Sequence, residues 1–320
     1  MSRTAVIFGG CGFIGTHLTR SLSTGGKHDR IILADIREPR ERVHRAEYAR
    51  CDVRAPIELA VCGDVDIYNL AAVHTTPGHA DAEYYDTNIG GAINVCRFAT
   101  SIGARFIVFT SSMSIYGPRE EQLDEQSVPK PVNAYGKSKL LAEKIHEDWQ
   151  GRDPANRLTI VRPAVIFGEG EHGNFSRLAR LLRARRFVYP ARTDTVKACG
   201  PVEELPRSLA FMSTFDEPVV RYIYAYPERT TMDSINRSFH EAAGFAMPRL
   251  VAPRWLIMTA AALFEGLNAI GFRNSVNRTR IRKLMESTNV YPGELLKRGW
   301  KFEHGLTAAL KRWKVASNFE

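Results

Sequence analysis

The run TAVIFGGCGFIG at 4–15 limits the fold more than any other stretch of the chain. Five largely apolar residues without alternation predict a strand buried on both faces, as in a parallel sheet. Gly9, Gly12 and Gly15 follow at once with GxxGxxG spacing, and THLTRSLSTGG continues at helical intervals. A strand that turns on glycines straight into a helix is the opening half of a strand–helix–strand unit. Glycines suit such a corner because the turn is tight and the backbone must come close to another group.

The same alternation recurs downstream. RIILAD (30–35), DVDIYNLAA (64–72), ARFIVFTSS (104–112) and RLTIVRP (157–163) read as buried strands, with a weaker strand expected just before Cys51. TNIGGAINVCRFATSIG (87–103) and NAYGKSKLLAEKIHEDW (133–149) read as helices, and a further helical stretch is expected ahead of residue 64. The fold class is α/β: a Rossmann, doubly wound parallel sheet with a smaller, interleaved C-terminal α/β substrate domain. Residues 1–168 are expected to form the nucleotide-binding domain, with a later contribution from about 200–235, where VVRYIYAYP (219–227) predicts one more strand. Residues 169–320 then form mainly the second domain, with helices at 234–244 and 306–314.

Beyond the glycines, position makes the nucleotide reading specific. Gly9, Gly12, Phe13, Ile14 and Gly15 would cradle a pyrophosphate, because a helix start supplies unpaired N–H groups and positive potential. Asp35 closes the second strand about 20 residues on, where a carboxylate accepts hydrogen bonds from an adenosine ribose and repels a 2′-phosphate. That favours NAD; Arg37, two residues later, partly offsets the repulsion and keeps NADP open. Asp52 and Val53 fall near the adenine, with a plain surface turn as the alternative for Asp52. Leu70, Ala71 and Ala72 end another strand with largely small side chains, where backbone runs close to the cofactor.

Charge bears on the partner. Residues 1–160 carry 19 basic and 20 acidic side chains, whereas residues 161–320 carry 25 and 15. A neutral half joined to a basic half fits an anionic small molecule bound by the second part. No basic run is interleaved with aromatics for base stacking, which argues against nucleic acid. The five cysteines (11, 51, 62, 96 and 199) form no CxxC pair and no metal-spaced cluster, so reduced thiols, no metal and a cytoplasmic protein without a secretory leader are expected. The most apolar stretch, PRWLIMTAAALFEGLNAIGF (253–272), is interrupted by Glu265, Asn268 and two glycines. It reads as a packed helix rather than a spanning one, and its basic sequel RNSVNRTRIRK keeps a peripheral membrane contact as the alternative.

Tyr135 and Lys139 stand four residues apart, hence on one helix face. A free phenol ionises near pH ~10, and a neighbouring ammonium favours the phenolate. With GGCGFIG, NLAA, TNIGG, SSMSIYG, YGKSK and RPAVIFG in this order, the chain resembles the extended short-chain dehydrogenase/reductases, the group of NAD-dependent sugar epimerases and dehydratases. The resemblance covers nearly the whole chain and implies roles for individual residues. Tyr135 is the acid/base, Lys139 tunes it and holds the nicotinamide ribose, and Ser112 hydrogen-bonds the reacting oxygen. Asn88 lies near the site, with helix capping as its alternative, and Pro163 backs the nicotinamide. Ser114, Asn174, Arg192 and Lys197 fall where the family binds substrate, usually a nucleotide-activated sugar, and Tyr116 is expected to be structural. The segment Cys199-Gly-Pro-Val-Glu-Glu204 departs from the family pattern, with Pro201 and Glu204 at positions usually held by an aromatic or His and by Asp.

The turn after Ser112 narrows the reaction. Family dehydratases place an Asp-Glu pair where Met113 and Ser114 stand, and epimerase–reductases place a cysteine where Ser114 stands. Neither elaboration is available here. What remains is hydride transfer at one hydroxyl/ketone carbon: 4-epimerisation or simple ketone reduction, in a homodimer of the family's usual kind. The rival readings are a peripheral-membrane 3β-hydroxysteroid-type or lipid-linked-sugar enzyme, and an NAD(P)-binding regulator without turnover.

Overall fold

Strand β1 (Arg3–Phe8) shows why the chain forms layers. Val6 and Phe8 pack into one hydrophobic cluster and Ala5 and Ile7 into another, so alternate side chains fill opposite faces of the sheet. This computed structural model describes residues 2–61, 63–75, 78–269 and 278–320. Helix α1 (Phe13–Thr24) follows the glycine turn, then come β2 (Arg30–Asp35), β3 (Ala46–Arg50) and β4 (Asp64–Asn69).

The helix expected ahead of residue 64 does not form. Ile57, Leu59 and Val61 reach the core at every second residue, the period of extended chain, and Pro56 lacks the N–H a helix would need. The helix expected at 87–103 is instead a composite: α2 (Asp81–Tyr85), a π-turn (Asp86–Gly90) and α3 (Gly91–Ser101). Next come β5 (Phe106–Thr110), β6 (Arg119–Leu123), α4 (Ala134–Gly151) and β7 (Arg157–Pro163). Asn133 caps α4, its Oδ1 accepting from Gly136 N–H at 2.8 Å.

The second half contributes β8 (Val165–Phe167), α5 (Asn174–Arg183), β9 (Tyr189–Pro190), β10 (Cys199–Pro201), α6 (Leu205–Met212) and β11 (Val219–Tyr224). It ends with α7 (Met232–Ala243), β12 (Val251–Ala252), α8 (Arg254–Ala269), α9 (Arg278–Met285), β13 (Thr288–Val290), α10 (Gly293–Lys297) and α11 (Leu306–Ser317). Seven strands form one parallel sheet in the order β3-β2-β1-β4-β5-β7-β11, and β11 joins its edge from the later part of the chain. A separate cluster around Phe167, Phe175, Phe239 and Trp313 gathers α5, α7 and α11. The order reverses between β1 and β4, so the crevice at their C-terminal ends is where an open α/β sheet takes a ligand.

Cys11, Cys51, Cys96 and Cys199 are buried free thiols; Cys62 lies outside the described residues. No helix among the described residues is long and apolar enough to cross a membrane. The packing expected of 253–272 is only partial: α8 contacts α9 but leaves Trp255, Leu256 and Leu263 exposed. Residues 270–272 of that stretch lie outside the described residues.

Candidate active site

The turn after β1 is shaped by what it must avoid. Gly9 has φ +76°, and a Cβ there would sit 2.8 Å from Ala71 N, so the two strand ends nearly touch. A Cβ on Gly15 would lie 2.5 Å from the carbonyl oxygens of both Gly9 and Gly10. Gly12 N–H closes the turn onto Gly9 O (3.1 Å), and the first N–H groups of α1, at Phe13, Ile14 and Gly15, have no carbonyl one turn back to bond. This is an anion cradle at a helix start. Gly15→Ala should push the two carbonyls apart and weaken dinucleotide binding at least about tenfold, a loss of 1.4 kcal/mol or more. Titration calorimetry with NAD checks it, and unchanged affinity would remove the cradle from the cofactor site.

Asp35 is buried at the end of β2, where its carboxylate accepts from Cys11 N–H and Arg37 N–H at 3.0 Å each. Asp52 is paired with Arg54, which holds its carboxyl below the usual range, and Val53 packs under Gly91. Leu70 N–H donates to Phe8 O, which ties the strand end of Leu70, Ala71 and Ala72 to β1. Asn88 is buried in the π-turn and caps no helix end. Its Oδ1 accepts from Val73 N–H and its Nδ2 donates to Val73 O and Ser138 Oγ, which fastens the loop after β4 to α4. Pro163 ends β7 in the buried interior.

Helix α4 buries an unusual face, with Ser138, Lys139, Glu143 and His146 all sealed from solvent. Buried polar groups need partners, and here they draw together three segments. Ser112 accepts from Ser114 N–H (3.1 Å) and opens the 3₁₀ turn Met113–Ile115. Gly136 lets that turn reach α4, since a Cβ there would meet Ser114 O at 2.4 Å. The Ser112 hydroxyl and the Tyr135 phenol are neighbours as a result. Burial raises the Tyr135 pKa, the neighbouring Ser112 hydroxyl opposes the rise and Tyr84 adds to it. The lowering by lysine that the sequence anticipates is therefore not present in the chain alone. Burial brings Lys139 down to about 7, with Glu143 opposing, and its ammonium lies 4.6 Å from the Phe109 ring centre.

Sequence reasoning missed the groups behind this pair. Arg162 donates from Nε and Nη2 to the two oxygens of Glu143 (3.0 and 2.7 Å) and from Nη1 to Tyr116 OH (2.7 Å). All three side chains are buried, so Tyr116 is structural, held by its hydroxyl as well as its ring. Two signals were available: Glu143 lies one turn beyond Lys139 on the same face, and Arg162 is a cation in the buried part of its strand. His146 stacks on Phe109 with 4.1 Å between ring centres. Its Nδ1 lies 2.7 Å from Ala142 O, so that nitrogen carries the proton and Nε2 accepts from Asn69 Nδ2. Burial lowers His146 to about 4, which keeps it neutral.

The residues expected to bind substrate lie in several elements. Asn174 opens α5 and is exposed. Arg192 pairs with Glu120 and donates to Ser287 Oγ (2.9 Å). Lys197 donates to the carbonyls of Lys283 and Glu286 at 2.6 Å each, pinning the end of α9, and burial lowers it to about 8. Ser114 stays beside Ser112. In the departing segment, Glu204 accepts from the N–H groups of Glu303 and His304, so it fastens the C-terminal region.

Residues 5–192 match the model of the NAD dependent epimerase/dehydratase family. The chain belongs to that family. Among curated relatives of this family member, the N-acetyl-alpha-D-glucosaminyl-diphospho-ditrans,octacis-undecaprenol 4-epimerase of Escherichia coli O157:H7 is 26% identical over 98% of this chain and 94% of its own length. The UDP-glucose 4-epimerase of Vibrio cholerae is 26% identical over 94% of each chain. The solved structure of MoeE5 in complex with UDP-glucuronic acid and NAD superposes with a TM-score of 0.76 at 19% identity, covering 98% of this chain and 99% of that one. UDP-glucose 4-epimerase from Bifidobacterium longum, solved with NAD+ and UDP, gives 0.71 at 19% identity over 99% and 100%. These superpositions show a common fold.

The residues present fit a dinucleotide. The glycine cradle is one reason. Another is that Asn69 Oδ1, Thr110 Oγ1 and Ser111 Oγ are buried without a hydrogen-bond partner at the C-terminal ends of β4 and β5.

Proposed function

We propose that the chain is an NAD-dependent 4-epimerase of a sugar carried on a diphosphate. The observation that carries this reading is the Ser112 hydroxyl beside the Tyr135 phenol with Lys139 buried one turn along α4, next to a turn whose Met113 and Ser114 hold no second acid or base. Bound NAD supplies a reversible hydride acceptor. Gly9 to Gly15 and the N-terminus of α1 hold its pyrophosphate, Asp35 its adenosine ribose and Lys139 its nicotinamide ribose. Asp52, Val53, Leu70–Ala72, Asn88 and Pro163 line the rest of that site. Ser112 hydrogen-bonds the C4 oxygen, and Tyr135 removes its proton and later returns it to the ketone oxygen. The two curated relatives support the 4-position, since both are named as 4-epimerases.

The proposal includes a cytoplasmic homodimer. Residues 1–168 and about 200–235 serve the cofactor and most of 169–320 the substrate. Ser114, Asn174, Arg192 and Lys197 are assigned to the substrate side, Arg192 and Lys197 through the walls they hold.

The test is incubation with UDP-glucose, UDP-N-acetylglucosamine and N-acetylglucosaminyl-diphospho-undecaprenol in deuterated water, followed by sugar analysis. The 4-epimer should form from at least one carrier without deuterium at C4, because the hydride returns from the cofactor rather than from solvent. Accumulation of reduced cofactor with no 4-epimer would overturn the epimerase reading in favour of a dehydrogenase.

A further inference from the structure

We propose that α8, together with the β12 strand before it, rests on the surface of an anionic phospholipid bilayer. Trp255, Leu256, Ala262 and Leu263 are exposed on α8 at positions one and two turns apart, so they form one apolar stripe interrupted by Thr259. Trp255 is 70% and Leu263 66% exposed, well beyond what a packed helix shows. Just ahead of α8, Leu250 is 68% exposed and Val251, the first residue of β12, is also exposed. Exposed apolar area of this kind, gathered on one element, marks an interaction surface.

Charge decides between occupants. Helix α9, in contact with α8, contains four basic residues and no acid in its sequence RTRIRKLM. Tyr189 N–H donates to Leu250 O, and the exposed Arg185 and Arg186, just past the end of α5, lie four and three residues ahead of that contact along the chain. An apolar stripe with cationic flanks is complementary to anionic headgroups over acyl chains, and a tryptophan suits that boundary. A second copy of the chain would bring like charges together. No described helix is long and apolar enough to span, so the helix lies in the interface plane.

The site is close to the chemistry along the chain. Helix α9 runs into β13, which pairs with β6, the strand that follows the Ser112 turn. Docking here would put the catalytic turn one strand away from the bilayer contact. This inference goes beyond the epimerase reading and does not depend on it, because partition is measured without turnover.

The full chain should co-sediment with equimolar phosphatidylglycerol/phosphatidylcholine vesicles and far less with phosphatidylcholine alone, and salt should release it. Trp149, Trp300 and Trp313 are buried, so quenching by brominated acyl chains reads Trp255. The double variant Trp255→Glu/Leu263→Glu should lose at least about tenfold in partition, since apolar area and charge both enter the binding energy. Both side chains are exposed, so its NAD affinity should match the parent's. Absence of partition, partition that the double variant leaves intact, or equal binding to both vesicle types would overturn the proposal. So would sedimentation velocity showing an oligomer that the double variant dissociates, because a second copy would then cover the stripe.

Discussion

Tyr135→Phe is expected to lower turnover by about 10²–10⁴-fold, the range for loss of a positioned acid/base, while NAD stays bound with nearly unchanged affinity. The phenol is half-buried beside Ser112, so removing its oxygen deletes the proton path without opening a cavity of any size. The variant should also retain the parent's thermal stability, because burial already disfavours ionisation of this phenol in the unliganded chain. Steady-state assay and mass spectrometry of cofactor released on denaturation separate the two effects. Full activity in Tyr135→Phe would remove the acid/base assignment. Loss of cofactor together with activity would move the residue from chemistry to cofactor binding.

Arg162→Met should be the most damaging change to stability, at about 3–5 kcal/mol, because removing one partner of a buried ion pair leaves the other charge uncompensated. Glu143 would lose both charge-assisted hydrogen bonds and Tyr116 the donor to its hydroxyl. These contacts join β7, α4 and the turn that begins at Ser112, so the loss falls on the segments that set the catalytic geometry. The double variant Arg162→Met/Glu143→Leu should recover most of the stability, since a pair replaced by apolar groups of similar size is often neutral. Urea midpoints of the two variants measure this. A single variant as stable as the parent would show that the network holds nothing together.

Much of the molecule was legible in sequence because its signals are local. The strand-then-glycines run, the alternation of strands and helices and the four-residue spacing of Tyr135 and Lys139 each sit within one segment. The helix expected ahead of residue 64 failed because short apolar stretches can satisfy either period, and only packing of Ile57, Leu59 and Val61 chose the extended one. Arg192 and Lys197 show how much of a charge's setting is long-range. A cation in sequence has no visible partner, and in the fold these two bind Glu120, Ser287 and the carbonyls ending α9.

By itself, then, the sequence determined the sheet, the glycine cradle, the family and the exclusion of a second acid or base beside Ser112. Each of these depends on residue type at fixed short spacing. Tertiary structure decided the rest. It closed Gly136 against Ser114 so that Ser112 and Tyr135 meet, and it joined Arg162 to Glu143 and Tyr116 across 19 and 46 residues. It also left the apolar stripe of α8 uncovered. Burial and partner choice are long-range outcomes, since whether a polar group is satisfied or an apolar face is hidden depends on chain segments far away in sequence.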